Sequence, residues 1–122
     1  MRETAYWTWF IIAGLVLFCL VGLHMMIMHL DGLLGIFNPT GTESVAWENV
    51  VLRSTSLFFT ITYIIMLAAA LYHGFYGLRT ILFELGLNKT TQGFITVFFW
   101  VIGSGLFIFG TYAALAAKAM KL

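Results

Sequence analysis

The chain reads STSLFFTITYIIMLAAALYHGFYGLRTILFE from Ser54 to Glu84. Residues 54–78 of this stretch contain no Asp, Glu, Lys or Arg. A helix needs about 20 mainly apolar residues to cross a hydrocarbon core of about 30 Å. We therefore predict a membrane-spanning helix whose histidine, His73, lies in lipid. An ionisable side chain there is costly, and it usually faces the protein interior and serves a function.

Two further stretches, residues 4–30 and 90–117, also lack formal charge. The chain is 61% hydrophobic and 9% charged, whereas soluble domains average about 25% charged residues. A water-soluble domain of this size has no means of hiding so much apolar surface. The alternation of polar and apolar residues that a membrane β-barrel requires is missing. Helices that satisfy their own backbone hydrogen bonds are therefore expected in all three stretches.

These observations predict an all-α membrane protein with three transmembrane helices and no soluble domain. The predicted helices cover about residues 6–30, 44–85 and 91–117, within one membrane-anchor domain of residues 1–122. So short and uniformly apolar a chain is expected to form part of a larger membrane assembly. The net charge of +1 gives no electrostatic footprint for nucleic acid.

Basic residues do not set the orientation of the chain. Arg and Lys divide three against three between the two sides of the membrane, so the preference for positive charge on the cytoplasmic side makes no choice. Arg53 and Arg79 flank the second span. An alternative role for both is that of ordinary flanking residues whose side chains extend to the membrane surface.

The histidines are the candidate metal ligands, because neutral imidazole binds haem iron. His24 and His73 each lie seven residues beyond the centre of an uncharged stretch, and the two helices run in opposite directions. At the helical rise this separates the two histidines by about 20 Å in depth. One haem therefore cannot use both, and each would need a second ligand from another chain. Hydrogen bonding across helices is the alternative role for either histidine.

The residues that follow His73 suit a haem neighbour. Gly77 is four residues further on, on the same helix face, and its missing side chain leaves room for a flat macrocycle. Arg79 lies closer to the membrane surface, where haem propionates need cationic partners.

His73, Gly77 and Glu84 together resemble a pattern in the hydrophobic membrane-anchor subunits of succinate dehydrogenase and fumarate reductase. In that family, the second helix carries a histidine, a glycine four residues later and an acid eleven residues later. The length and the three-helix plan are similar over the whole chain, and the residue pattern covers about a dozen positions. The chain looks most like a D-type anchor.

The resemblance implies a cytochrome b anchor within a larger haem-binding helix bundle. His73 would be an axial ligand of haem b, and His24 would serve a second haem, as in two-haem members of the superfamily. Partners would be a second anchor subunit that shares the haem, an iron–sulfur subunit and a flavoprotein subunit. The protein would span the inner or cytoplasmic membrane with its N-terminus in the cytoplasm.

The same resemblance implies a quinone site, with menaquinone as a candidate because two-haem enzymes are often linked to it. Glu84 and Glu48 are its candidate acids. Two positions depart from the family, which usually has Asp where Glu84 stands and, in many D-type anchors, a quinone-binding tyrosine where Leu85 stands. A haem b anchor of another respiratory enzyme and a cofactor-free membrane scaffold are the alternative functions.

Overall fold

The computed structural model describes residues 2–29 and 43–120, most of which are helical. The helices are α1 (Arg2–His29), α2 (Trp47–Thr55), α3 (Leu57–Phe83) and α4 (Lys89–Lys118). By length and composition, α1, α3 and α4 can each cross a membrane. Within these residues the prediction of an all-helical chain with three helices long and apolar enough to span a membrane is confirmed. Residue 30, the predicted end of the first helix, lies outside the described residues.

The second predicted helix, residues 44–85, is divided in the structure. Ser56 separates α2 from α3 with an extended backbone, φ −75° and ψ 129°. The Thr60 hydroxyl lies 3.0 Å from the Ser56 carbonyl and 3.3 Å from that of Ser54. Hydroxyl side chains that bond nearby carbonyls compete with regular helical bonding. The break lets α2 turn aside and pack against both α3 and α4.

α3 is the central helix, and α1 and α4 pack on either side of it. Within the described residues, α1 and α4 do not contact each other. The chain reverses between α3 and α4 at Gly86, whose φ of +72° is a conformation that favours glycine. The Asn88 side chain then accepts a hydrogen bond of 2.8 Å from the Thr91 amide and caps α4. α3 therefore runs antiparallel to both neighbours.

Buried polar groups collect at the end of the bundle where α2 lies. Ser44 Oγ donates to the Met28 carbonyl at 3.0 Å, and Asn49 Nδ2 donates to the Glu43 carbonyl at 2.8 Å. The Arg53 guanidinium, only 6% exposed, donates to the Ser44 carbonyl. Arg53 is therefore enclosed by the chain itself. This polar cluster ties the end of α1 to α2.

Candidate functional site

His73 lies in the seam between α3 and α1. Its ring stacks on the ring of Phe10, with centroids 4.3 Å apart and planes 2° from parallel. Its Nδ1 lies 3.1 Å from the Phe10 carbonyl oxygen. Because a carbonyl only accepts, this hydrogen bond requires the proton on Nδ1. In the neutral imidazole, Nε2 then carries the free lone pair.

Gly14 gives the His73 ring its room on α1. A Cβ added to Gly14 would lie 2.8 Å from His73 Cε1 and 3.0 Å from Nδ1. Contacts below 3.0 Å are not tolerated, and Phe10 already covers one face of the ring. The imidazole is therefore held between an aromatic ring and a bare stretch of helix backbone.

Gly77 also borders Phe10. A Cβ on Gly77 would lie 3.1 Å from Phe10 Cε2. The space that we predicted for the edge of a macrocycle beside Gly77 therefore holds the Phe10 ring in this structure.

His24 is half-buried in α1, towards the opposite end of the bundle from His73. It lies ten residues beyond Gly14, the residue that contacts His73, which is about 15 Å at the helical rise. The structure therefore does not bring His24 and His73 together. Among the described residues, no group of three or more His, Cys, Asp or Glu side chains is arranged to hold a metal ion.

Arg79 faces away from the His73 seam. Six residues separate the two on α3, which rotates them by about 120° around the helix. Arg79 Nε donates to Thr96 Oγ1 on α4 at 3.0 Å, and its guanidinium lies 4.3 Å from the centre of the Phe83 ring. The structure thus directs Arg79 towards α4 rather than towards the imidazole.

Two cavities meet at Arg79. One, of about 570 Å³, runs along the face of α3 that is left open between α1 and α4. The other, of about 640 Å³, lies beside it near the start of α1. Glu3, Tyr76 and Arg79 line both cavities, whereas His73 lines neither. The open face of α3 is hereafter called the α3 groove.

The two candidate quinone acids lie at opposite ends of the molecule. Glu84 is exposed just after α3 and lines the second cavity together with Arg79. Glu48 is exposed in the first turn of α2, at the other end of the bundle. The structure does not bring the two acids together. Glu84 lines the second cavity, and Glu48 lines neither cavity.

The hydrogen bond of His73 is of a kind that metal-binding histidines also make. Histidines that bind metals almost always donate their other ring N–H to a carbonyl or carboxylate, which fixes the ring and its tautomer. The bond to Phe10 does this for Nδ1. Nε2 makes no hydrogen bond within the described residues and is not among their enclosed polar atoms.

The partners of the candidate residues were not predicted from sequence. They are Phe10 and Gly14 for His73, and Thr96 and Phe83 for Arg79. One signal was available for the first pair. Residue 10 lies seven positions before the centre of the first uncharged stretch, and His73 lies seven positions after the centre of the second. Because the two helices run in opposite directions, both residues are at the same depth in the membrane.

Comparison with known protein families, with curated proteins and with solved structures finds no significant match to this chain.

Proposed function

We propose that this chain is a membrane-anchor cytochrome b subunit of a succinate:quinone or fumarate:quinone oxidoreductase. In this role it ligates haem b, contributes to a quinone site and holds the iron–sulfur and flavoprotein subunits on the membrane. It does not itself bind the dicarboxylate. The three membrane-spanning helices and the pattern of His73, Gly77 and Glu84 support this proposal.

The observation that carries the proposal is the bond between His73 Nδ1 and the Phe10 carbonyl. It leaves Nε2 as the metal-binding nitrogen of an imidazole inside a membrane-spanning helix. Such a group is costly in lipid, so its presence there usually indicates a function. Second-shell bonds of this kind orient ligating histidines and raise their basicity.

The residues of the chain have distinct tasks in this role. His73 Nε2 would hold the iron, and the Phe10 carbonyl would keep the proton on Nδ1 and prevent rotation of the ring. The stacked Phe10 ring excludes solvent from one face of the imidazole. When bound, haem b supplies a one-electron carrier whose potential depends on its ligands, its burial and nearby hydrogen bonds.

The remaining components are part of the same proposal. A second anchor subunit would supply any further ligand to this iron, because His24 lies too far along α1 to share an iron with His73. His24 serves a second haem, also with a ligand from the partner. The quinone, with menaquinone as a candidate, is taken up near Glu84, which borders a cavity. The N-terminus faces the cytoplasm, where the iron–sulfur subunit docks.

The test is His73→Ala in the assembled complex, followed by reduced-minus-oxidised spectra. One b-type haem signal is expected to disappear or shift. His29→Ala is the matched control, because His29 is exposed at the end of α1 and should leave every signal intact. An unchanged spectrum in His73→Ala would remove the haem role.

His24→Ala addresses the number of haems. It should alter a haem signal different from the one that depends on His73. If all haem signals survive in His24→Ala, the two-haem version is wrong and the one-haem version stands. Co-purification of a flavoprotein and an iron–sulfur protein with the chain tests the proposed partners.

A cofactor-free membrane scaffold is the second candidate function. The stacking of His73 on Phe10 and its bond to the Phe10 carbonyl favour it, because together they satisfy much of the imidazole within one chain. Interhelical hydrogen bonds of this kind also stabilise packing in lipid. A colourless intact complex would favour the scaffold over the cytochrome.

A further inference from the structure

Arg79 is a cation that the fold holds in place without neutralising it. Thr96 Oγ1 accepts from its Nε, and Phe83 lies beneath the guanidinium. Within the described residues, its two terminal nitrogens make no hydrogen bond and no ion pair. A guanidinium fixed on one edge and one face presents its remaining donors in a defined direction, which suits a phosphate group.

The charges around Arg79 are mixed in sign. Glu3 lines both cavities with it, and Glu84 lines the second. Neither carboxylate forms an ion pair with Arg79 among the described residues. A purely anionic ligand would meet repulsion from these acids, and a purely cationic one would meet it from Arg79. A headgroup that carries both signs matches the arrangement.

The α3 groove extends from these charged residues towards the middle of the membrane. Its lining residues on α3 extend from Arg79 to Ala68, eleven positions or about 16 Å at the helical rise. That length is close to half of a hydrocarbon core of about 30 Å. Apolar side chains, including Leu71, Phe75 and Phe107, form most of the wall. The groove therefore suits an acyl chain that lies within one leaflet.

We propose that the α3 groove binds a zwitterionic phospholipid with a primary ammonium group, as in phosphatidylethanolamine. Arg79 holds the phosphate, Glu3 and Glu84 accept from the ammonium, and one acyl chain lies along α3. The lipid belongs to the leaflet on the Arg79 side. This site is separate from the His73 seam and does not depend on the haem role, but it shares Glu84 with the proposed quinone site, so a bound lipid and a bound quinone exclude each other there.

The experiment uses the intact, delipidated membrane complex that contains the full chain. Dioctanoyl phosphatidylethanolamine, phosphatidylglycerol and phosphatidylcholine are titrated separately, and bound lipid is counted by native mass spectrometry. Phosphatidylethanolamine should bind about tenfold more tightly than either of the others, because only it offers charge-assisted bonds to both signs of charge. Equal binding of the three lipids, or tighter binding of phosphatidylglycerol, would overturn the proposal.

Arg79→Gln should weaken phosphatidylethanolamine binding by about tenfold through loss of the bond to phosphate. Lys89→Gln is its matched control, because it removes one positive charge from the same membrane surface at an exposed position outside both cavities. Equal effects of the two variants would mean that surface charge alone attracts the lipid, which contradicts a site at Arg79.

The double variant Glu3→Gln with Glu84→Gln changes two exposed side chains, so its folding should be preserved. Without the carboxylates Arg79 is the charged residue that remains in the lining of the two cavities, and the preference should move from phosphatidylethanolamine to phosphatidylglycerol. An unchanged preference would exclude the acids from the site. Solvent extraction of the native complex should release phosphatidylethanolamine, and a quinone in its place would assign the groove to another ligand.

Discussion

The two seams of α3 differ in how they are held. Where α3 meets α1, side chains bond to the backbone of the neighbouring helix: Tyr72 donates to the Tyr6 carbonyl at 2.8 Å, and His73 bonds that of Phe10. Where α3 meets α4, contact is mainly apolar, and Phe75 stacks on Phe99 with centroids 5.2 Å apart. α3 thus has one seam held by bonds to the neighbouring backbone, the polar seam, and one seam that is apolar except for the bond from Arg79 Nε to Thr96 Oγ1.

The difference reflects what stabilises helices in lipid. Lipid chains are as apolar as leucine, so burial of apolar surface does not drive association, and close packing and hydrogen bonds do. The seam with α1 uses directional bonds, which fix the register of the two helices. The seam with α4 uses small residues such as Gly103 and Gly110, which admit the side chains of Phe75 and Leu67. We expect the two seams to respond differently to substitution.

Gly14→Ala should have the largest effect, a loss of about 2 kcal/mol in the free energy of unfolding, as for an overpacked core. The new Cβ meets His73 Cε1 at 2.8 Å, and the ring is already pinned by Phe10. The measurement is unfolding by SDS in mixed micelles, followed by circular dichroism. Gly22→Ala is the control, because nothing lies within 4 Å of a Cβ there. Equal effects at the two glycines would contradict a tightly packed polar seam.

Gly110→Ala should cost less, about 1 kcal/mol, at the lower end of the range for overpacking. Its new Cβ meets a methyl group of Leu67, and the end of a leucine side chain can rotate away. The same unfolding titration measures it. Gly105→Ala, with open space around its Cβ, controls for helix propensity on α4. A loss that exceeds that of Gly14→Ala would reverse our ranking of the two seams.

Tyr72→Phe removes one bond from the polar seam and keeps the ring. Interhelical hydrogen bonds in membranes average about 0.6 kcal/mol, so the free energy of unfolding should fall by about that amount. Tyr112→Phe is the control, since Tyr112 is 70% exposed on α4. If both variants unfold alike, the hydroxyl of Tyr72 does not contribute to the seam.

Thr96→Val should have the smallest effect on stability, below about 0.5 kcal/mol. The shape is kept, the bond that the Thr96 hydroxyl donates to the Gln92 carbonyl lies within α4, and water in the cavity can replace the bond from Arg79. Arg79 would lose the acceptor that positions its Nε. Preference for phosphatidylethanolamine in the lipid titration should therefore fall by roughly twofold, a loss of orientation rather than of charge. Thr90→Val, exposed at the start of α4, should change neither quantity.

The lengths of the three uncharged stretches were sufficient to predict the three spans, because a helix needs only enough apolar residues to cross the hydrocarbon core. It did not predict the break at Ser56. That break depends on where hydroxyl groups bond locally, and the surrounding apolar pattern continues through it. The burial of Arg53 was also not predictable from the sequence, because only the fold brings the Ser44 carbonyl next to its guanidinium.

The sequence predicted the depth of His73 in the membrane but not which face of α1 packs against it. Sequence position made His73 level with the start of α1, yet it did not reveal which face of α1 would turn towards the ring. Phe10 and Gly14 therefore emerged only from the structure. The different faces of His73 and Arg79, in contrast, follow from their six-residue spacing alone. The haem, quinone, orientation and partner assignments stay predictions.

The placement of α2 makes the molecule unequal across the membrane midplane. At one end α2 bridges α3 and α4, and the buried Arg53 donates to the Ser44 carbonyl. At the other end no such bridge crosses the opening at Arg79 among the described residues. A lipid that diffuses in the bilayer would therefore find the helices covered by α2 in one leaflet and the α3 groove open to it in the other.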